Sequence, residues 1–192
     1  MSIRNWLSAS LGASALLVTG CAASGANAEP TADSARAAST VHGHEAHPHT
    51  SAAGRPSEAA RMICSAEIRQ AVARATRASS VPRGTSTWSG RLYTCTYAIR
   101  GGPLQLSVKD SPDLRSGKRY FTGLRDRAVA ARPIAGLLNF GLPSYRTEDT
   151  VVFLKDGKTL TVDASKLRTQ GGTSTGGVAY AIAASVVACW TE

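Results

Sequence analysis

Histidine is confined to one short stretch of this chain, and its absence elsewhere narrows the chemistry that the protein can perform. All four histidines lie within residues 42–49 of the 192-residue sequence. A serine or cysteine nucleophile usually depends on a neighbouring histidine, so the common Ser–His and Cys–His hydrolases are excluded from the rest of the chain. The sequence also has no phosphate-binding glycine loop and no zinc-protease motif, and its one G-x-S-x-G match, within "GGTSTGG" (residues 171–177), has no histidine near it in the sequence. We therefore predict no catalytic residues and no enzymatic activity.

Long hydrophobic runs are missing as well. The apolar segment near the start, "LSASLGASALLV" (residues 7–18), is shorter than the roughly 20 residues that a membrane-spanning helix needs. Arg4 precedes this segment and small residues follow it, which is the layout of a secretory signal. We predict that residues 1–20 form a signal peptide.

The residues that end this segment, "LVTGC", resemble the lipobox of bacterial lipoproteins, with Val18, Gly20 and Cys21 at its characteristic positions. In such proteins the cysteine thiol, a strong nucleophile as thiolate, receives a diacylglycerol group and becomes the first residue after cleavage. The resemblance implies lipid attachment at Cys21 and a place on the extracytoplasmic face of the cell membrane, where disulfides persist. The alternative is an ordinary secretory signal that is cut after Ala28, with Cys21 incidental.

Large apolar side chains are scarce beyond Cys21. Val41 is the one large aliphatic residue between Ala22 and Pro56, and Ala, Ser, Gly and Thr dominate. Such a composition buries too little apolar area to offset the entropy lost on ordering. We predict that residues 21–60 are a disordered tether, which reaches about 30–35 Å as a flexible chain.

The histidines lie within this predicted tether, and they support two interpretations. The members of the cluster are His42, His44, His47 and His49. Imidazoles bind Cu(II) and Zn(II), and the two His-x-His spacings let a pair of rings chelate one ion. Because binding would have to order a flexible segment, we expect a weak, exchangeable copper or zinc site and no other cofactor. The second interpretation is a hydrated spacer that binds no metal.

Residues 61–192 carry the periodic patterns of a folded domain. Ser65 and Ser111 are predicted to cap two helices, and the C-terminal "VAYAIAASVVACW" predicts a third. Two β-rich regions predict hairpins that turn at Gly101–Gly102 and Asp156–Gly157. Strands grouped in this way predict an α+β fold, a mostly antiparallel sheet of four to five strands with about three helices packed on one face.

Cysteine is rare, and its count limits the disulfides. If Cys21 carries lipid, three cysteines remain, which allow at most one internal bridge. Cys64 just precedes the first predicted helix, and Cys95 faces the helical layer from its strand, so we favour a Cys64–Cys95 bridge. Cys189 then stays outside the bridge on an apolar helical stripe, or serves as the alternative partner.

Three features of the sequence together resemble a known class of proteins. "CSAEI" opens a helix, "CTY" lies in a strand, and both follow a lipobox and a low-complexity segment. This combination is similar to small actinobacterial secreted lipoproteins of uncharacterised families. The resemblance implies an envelope-associated, non-enzymatic α+β domain with no agreed ligand, and it transfers no catalytic residues.

Acidic residues are few relative to basic ones, with 13 Asp and Glu against 22 Lys and Arg. A cationic surface near a membrane attracts anionic lipid or wall polymer by about 1 kcal/mol per charge, and nucleic acid is not an expected partner outside the membrane. The second predicted helix concentrates this charge in Arg115, Lys118, Arg119, Arg125 and Arg127.

We therefore expect a membrane-anchored envelope lipoprotein with a binding or structural domain. The alternatives are a metal-handling lipoprotein that uses the histidines and an envelope enzyme of unrecognised type. No protein partner follows from the sequence.

Overall fold

The computed structural model describes residues 54–169 and 172–190. The predictions on the signal peptide, the lipid-bearing Cys21, the tether up to residue 53 and the histidines fall outside these ranges. The helices of the described ranges are α1 (Glu58–Arg61), α2 (Ala66–Thr76), α3 (Leu114–Arg127) and α4 (Thr175–Trp190), with short 3-10 turns at Met62–Cys64 and Gly136–Asn139. The strands are β1 (Gly84–Ser89), β2 (Leu92–Ile99), β3 (Gly102–Asp110), β4 (Arg132–Pro133), β5 (Ser144–Arg146), β6 (Thr150–Lys155) and β7 (Lys158–Asp163).

The strands form a single antiparallel sheet in the order β1-β2-β3-β7-β6-β5-β4. The β6–β7 hairpin turns at Asp156 and Gly157, whose positive φ angles of 49° and 79° fit the predicted two-residue turn. The β2–β3 hairpin pairs Ile99 with Gly102 and turns through Arg100 and Gly101. The α+β class and the antiparallel sheet are therefore confirmed.

The predicted numbers of strands and helices were wrong, because the described residues contain seven strands and four α-helices. The missed β1 is an edge strand whose central Thr85, Ser86 and Thr87 are all exposed, so it shows no alternation of apolar and polar residues. The missed β4 and β5 have only two and three residues, too few to show a period. The additional helix, α1, has only one turn.

Helices cover both faces of the sheet, which corrects the expectation of one helical layer. On one face, α2 and α4 pack over the large core that contains Tyr97, Leu106 and Phe153. On the other face, Phe121 of α3 packs edge-on against Tyr145, with ring centroids 5.3 Å apart, and next to Val152 and Leu154. Burial on that face raises the pKa of the Tyr145 phenol to about 12.

The sequence contains a signal for this arrangement in the unbroken apolar run of β6. Val151 and Phe153 face the α2–α4 side, whereas Val152 and Leu154 face α3, and all four are buried. A strand covered on both faces reads as a continuous hydrophobic run and does not alternate.

Close backbone contact holds α3 against the sheet. Gly117 is buried in α3, and a Cβ atom there would lie 2.6 Å from the backbone of Gly157 in the β6–β7 turn. Only glycine permits this approach.

The predicted capping residue of α3 was wrong, because Asp113, and not Ser111, accepts a 2.7 Å hydrogen bond from the Ser116 amide. That bond lowers the pKa of the Asp113 carboxyl.

The segment before Arg61 also contacts the sheet and α4. Ala60 is fully buried, and the Ser57 amide donates a 2.9 Å hydrogen bond to the buried carboxylate of Asp110. The Trp190 indole donates to the Ala59 carbonyl at 3.1 Å. Across the described ranges, no helix is both long and apolar enough to cross a bilayer.

Candidate functional site

The structure contains the predicted disulfide and confirms the favoured pairing of Cys64 with Cys95. Cys64, at the end of the 3-10 turn, bridges to Cys95 on β2, with Cα atoms 5.7 Å apart. Cys189 lies near the end of α4, is half-buried and takes no part in the bridge. The bridge therefore ties the segment that leads into α2 to the sheet.

Aromatic side chains near the bridge form part of the core. The Tyr97 hydroxyl donates a 2.6 Å hydrogen bond to the Ile63 carbonyl, and burial raises the pKa of this phenol well above its usual value. Tyr93 and Trp190 are half-buried and pack against the same core. Their role is structural.

The exposed side of α3 is the most concentrated cationic surface that the sequence predicted. Its five basic side chains are all exposed, namely Arg115, Lys118, Arg119, Arg125 and Arg127. We call these five residues the α3 basic face. Arg125 is paired with Asp126 at 3.1 Å, and Arg119 donates to the Ser116 hydroxyl.

Apolar side chains stand at both ends of this face. Leu114, the first residue of α3, is 50% exposed, and Val129, just beyond the helix, is 86% exposed. Leu114 and Val129 therefore add exposed apolar surface at the two ends of the α3 basic face.

Basic residues greatly outnumber acidic residues in the folded part of the chain. Residues 54–190 contain twenty Lys and Arg but nine Asp and Glu. Among the described residues, Arg125 pairs with Asp126 and Lys155 pairs with Asp156. Basic side chains in this part of the chain therefore outnumber the carboxylates that could pair with them.

No metal site is formed by the part of the chain that the structure covers. Within residues 54–169 and 172–190, no three His, Cys, Asp or Glu side chains are grouped to hold a metal ion. The four predicted histidine ligands lie outside these ranges.

The chain matches no protein-family model, and it is significantly similar to no curated protein and no solved structure.

Sequence reasoning missed a second group of cations. Arg77, Arg100 and Arg168 are far apart in the sequence but line one cleft beside the C-terminal end of α2. Arg77 lies at the end of a helix, Arg100 in a hairpin turn and Arg168 in a loop. No helical or strand periodicity therefore links the three in the sequence. The glycine pair after Arg100 predicted a hairpin turn. A predicted turn does not show which other loop of the folded chain contacts that turn.

Proposed function

We propose that this chain is a lipid-anchored protein of the extracytoplasmic membrane face whose folded domain binds ligands and has no catalytic role. The lipobox residues that end at Cys21 support the anchor, together with the resemblance to actinobacterial lipoproteins. The Cys64–Cys95 disulfide is consistent with this location, because structural disulfides persist in oxidising compartments.

We further propose that the α3 basic face docks on the anionic lipid of the membrane that holds the anchor. The observation that carries this proposal is the set of five exposed cations on one helix, of which only Arg125 is in an ion pair. Each Lys or Arg near an anionic leaflet contributes about 1 kcal/mol. The exposed Leu114 and Val129 add apolar contact at the two margins.

Vesicle binding tests this docking surface. The full chain with Cys21→Ser, which removes the anchor, should float with vesicles that contain about 30% phosphatidylglycerol but not with neutral phosphatidylcholine vesicles. Replacing Lys118 and Arg119 together by alanine should weaken that binding roughly thirtyfold, since two charges contribute about 2 kcal/mol.

The control removes the same number of charges from the opposite side of the sheet. Arg61 and Arg74 are exposed on α1 and α2, and their double alanine variant should retain nearly full binding. Equal losses in the two double variants would show that net charge alone drives adsorption, and the α3 basic face would then have no special role. Preferential binding to soluble wall polymer would assign the face to that polymer.

A second candidate function is metal handling by the histidines. Four histidines within eight residues, with none in the rest of the chain, are the observation that favours it. A peptide of residues 38–54 should bind Cu(II) or Zn(II) weakly at neutral pH and lose the ion below about pH 6, where imidazoles become protonated. Calorimetric titration of this peptide, beside one with all four histidines changed to alanine, measures the effect. Superimposable isotherms for the two peptides would reduce the segment to a spacer.

A further inference from the structure

A cleft of about 540 Å³ opens on the α2–α4 side of the sheet, away from the α3 basic face. Its walls come from the C-terminal end of α2, the β2–β3 turn and the segment after β7. Among the described residues, the charged side chains that line it are those of Arg77, Arg100 and Arg168, with no Asp or Glu. We propose that this cleft is a binding site for a small organic phosphate.

Backbone contacts bring two of the arginines together. The Arg168 amide donates a 2.8 Å hydrogen bond to the Gly101 carbonyl, which directly follows Arg100. Gly101 has a φ of 107°, and a Cβ atom on it would lie 2.5 Å from the Arg168 carbonyl oxygen. Glycine is therefore needed both for the turn and for the approach of the second segment. The two guanidinium-bearing residues are held on adjacent segments by fixed backbone geometry.

The third arginine occupies a backbone position that is usually reserved for glycine. Arg77 ends α2 with a left-handed φ of 52°. Its amide and that of Ala78 satisfy the last carbonyls of the helix, those of Arg74 and Ala73. Glycine is the usual residue at such a position, and a side chain there introduces strain. Strained residues cluster at ligand sites, and the Arg77 side chain lines the cleft.

Arg77, Arg100 and Arg168 take part in neither of the ion pairs found among the described residues. Three like charges that line one cleft repel each other. An anion that binds between them removes this repulsion and also forms charge-assisted hydrogen bonds.

The donors and the floor of the cleft indicate the class of anion. Three guanidinium groups, with the exposed hydroxyls of Ser79 and Ser80, offer more donors than the two oxygens of a carboxylate can accept. A phosphate monoester has three acceptor oxygens and nearly two charges at neutral pH. The half-buried Ile99 provides an apolar wall for a group attached to the phosphate, and the buried Leu167 and Val178 lie behind it at the base of the cleft. The size of the cleft also exceeds that of a bare phosphate ion.

Calorimetry on the full chain with phenyl phosphate tests the proposal. We expect saturable binding that is tighter than that of inorganic phosphate, which has no apolar group, and tighter than that of benzoate, which has one charge. Arg100→Ala and Arg168→Ala should each weaken phenyl phosphate binding about tenfold, the usual cost of one charge-assisted hydrogen bond. Arg61→Ala, on the exposed surface outside the cleft, should leave the affinity unchanged.

Arg77→Gly separates a binding role from a structural one. Glycine adopts the left-handed conformation without strain, which offsets its greater freedom in the unfolded chain. The variant should therefore melt at the same temperature as the wild type or higher, yet bind phenyl phosphate about tenfold more weakly. The proposal is overturned if wild-type protein does not bind phenyl phosphate, if benzoate binds equally well, or if the three cleft variants bind as tightly as Arg61→Ala. Each of these outcomes leaves the α3 vesicle result unaffected.

Discussion

Replacing both Cys64 and Cys95 by alanine should lower the free energy of unfolding by about 3.5 kcal/mol. The bridge spans 31 residues. Closing a loop of that length lowers the conformational entropy of the unfolded chain, which stabilises the folded state by about this free energy. Cys95 is fully buried and Cys64 is half-buried against the same core, so the loss of packed sulfur adds to the effect. Thermal unfolding followed by circular dichroism should show a melting temperature lower by roughly 10–15 °C.

A reductant and a second variant show whether the loss of the bridge itself causes the destabilisation. Dithiothreitol should destabilise the wild type to nearly the same extent and leave the double alanine variant unaffected. Cys189→Ala, which keeps the bridge, should lower the free energy of unfolding by less than about 1 kcal/mol. A double variant as stable as the wild type, or a Cys189 bridge found by non-reducing mass spectrometry, would contradict the assigned stabilising role.

The sequence predicted this bridge because both cysteines belong to strong local patterns. Ser65 caps α2 through a hydrogen bond from the Ile68 amide, which places Cys64 just outside the helix. The alternation in β2 orients Cys95 toward the same core as Tyr97. The helix start therefore predicts the position of Cys64, and the alternation in β2 predicts the direction of the Cys95 side chain.

The position of α3 was not predicted, because helical periodicity identifies an apolar face but not the surface that it covers. Phe121 and Leu124 could have packed on either side of the sheet. What distinguishes the two sides is the pair formed by Gly117 and Gly157, which are 40 residues apart in the sequence. The continuous apolar run of β6 was the available clue, since it indicates a strand covered on both faces.

The two cationic surfaces also differ in how far the sequence alone predicts them. The cations of the α3 basic face repeat along one helix, so the sequence alone shows that they share a surface. Arg77, Arg100 and Arg168 meet only because a helix end, a hairpin turn and a loop converge. Such a cleft is a product of topology, and single-sequence patterns carry almost no information about it.

Cys21→Ser should transfer the protein from the membrane fraction to the soluble fraction. The physical reason is the size of the anchor, because each buried methylene contributes about 0.8 kcal/mol and two acyl chains hold a protein stably. Serine has no thiolate to accept the diacylglycerol group. Fractionation of cells that express the two forms measures the effect, with Cys189→Ser as the control that retains the lipobox cysteine and should remain membrane-bound.

Salt concentration separates the lipid anchor from the α3 basic face. Electrostatic docking is screened when the Debye length falls to about 4 Å at about 0.5 M salt, whereas acyl chains remain buried. In a wash of that strength the wild type should stay in the pellet, and Cys21→Ser should be released almost completely. Labelling with a radioactive fatty acid should mark the wild type and Cys189→Ser only. If Cys21→Ser stays in the washed pellet, the lipobox interpretation is wrong. If both forms carry an unmodified N-terminus that follows Ala28, the interpretation is also wrong, and the chain is an ordinary secreted protein.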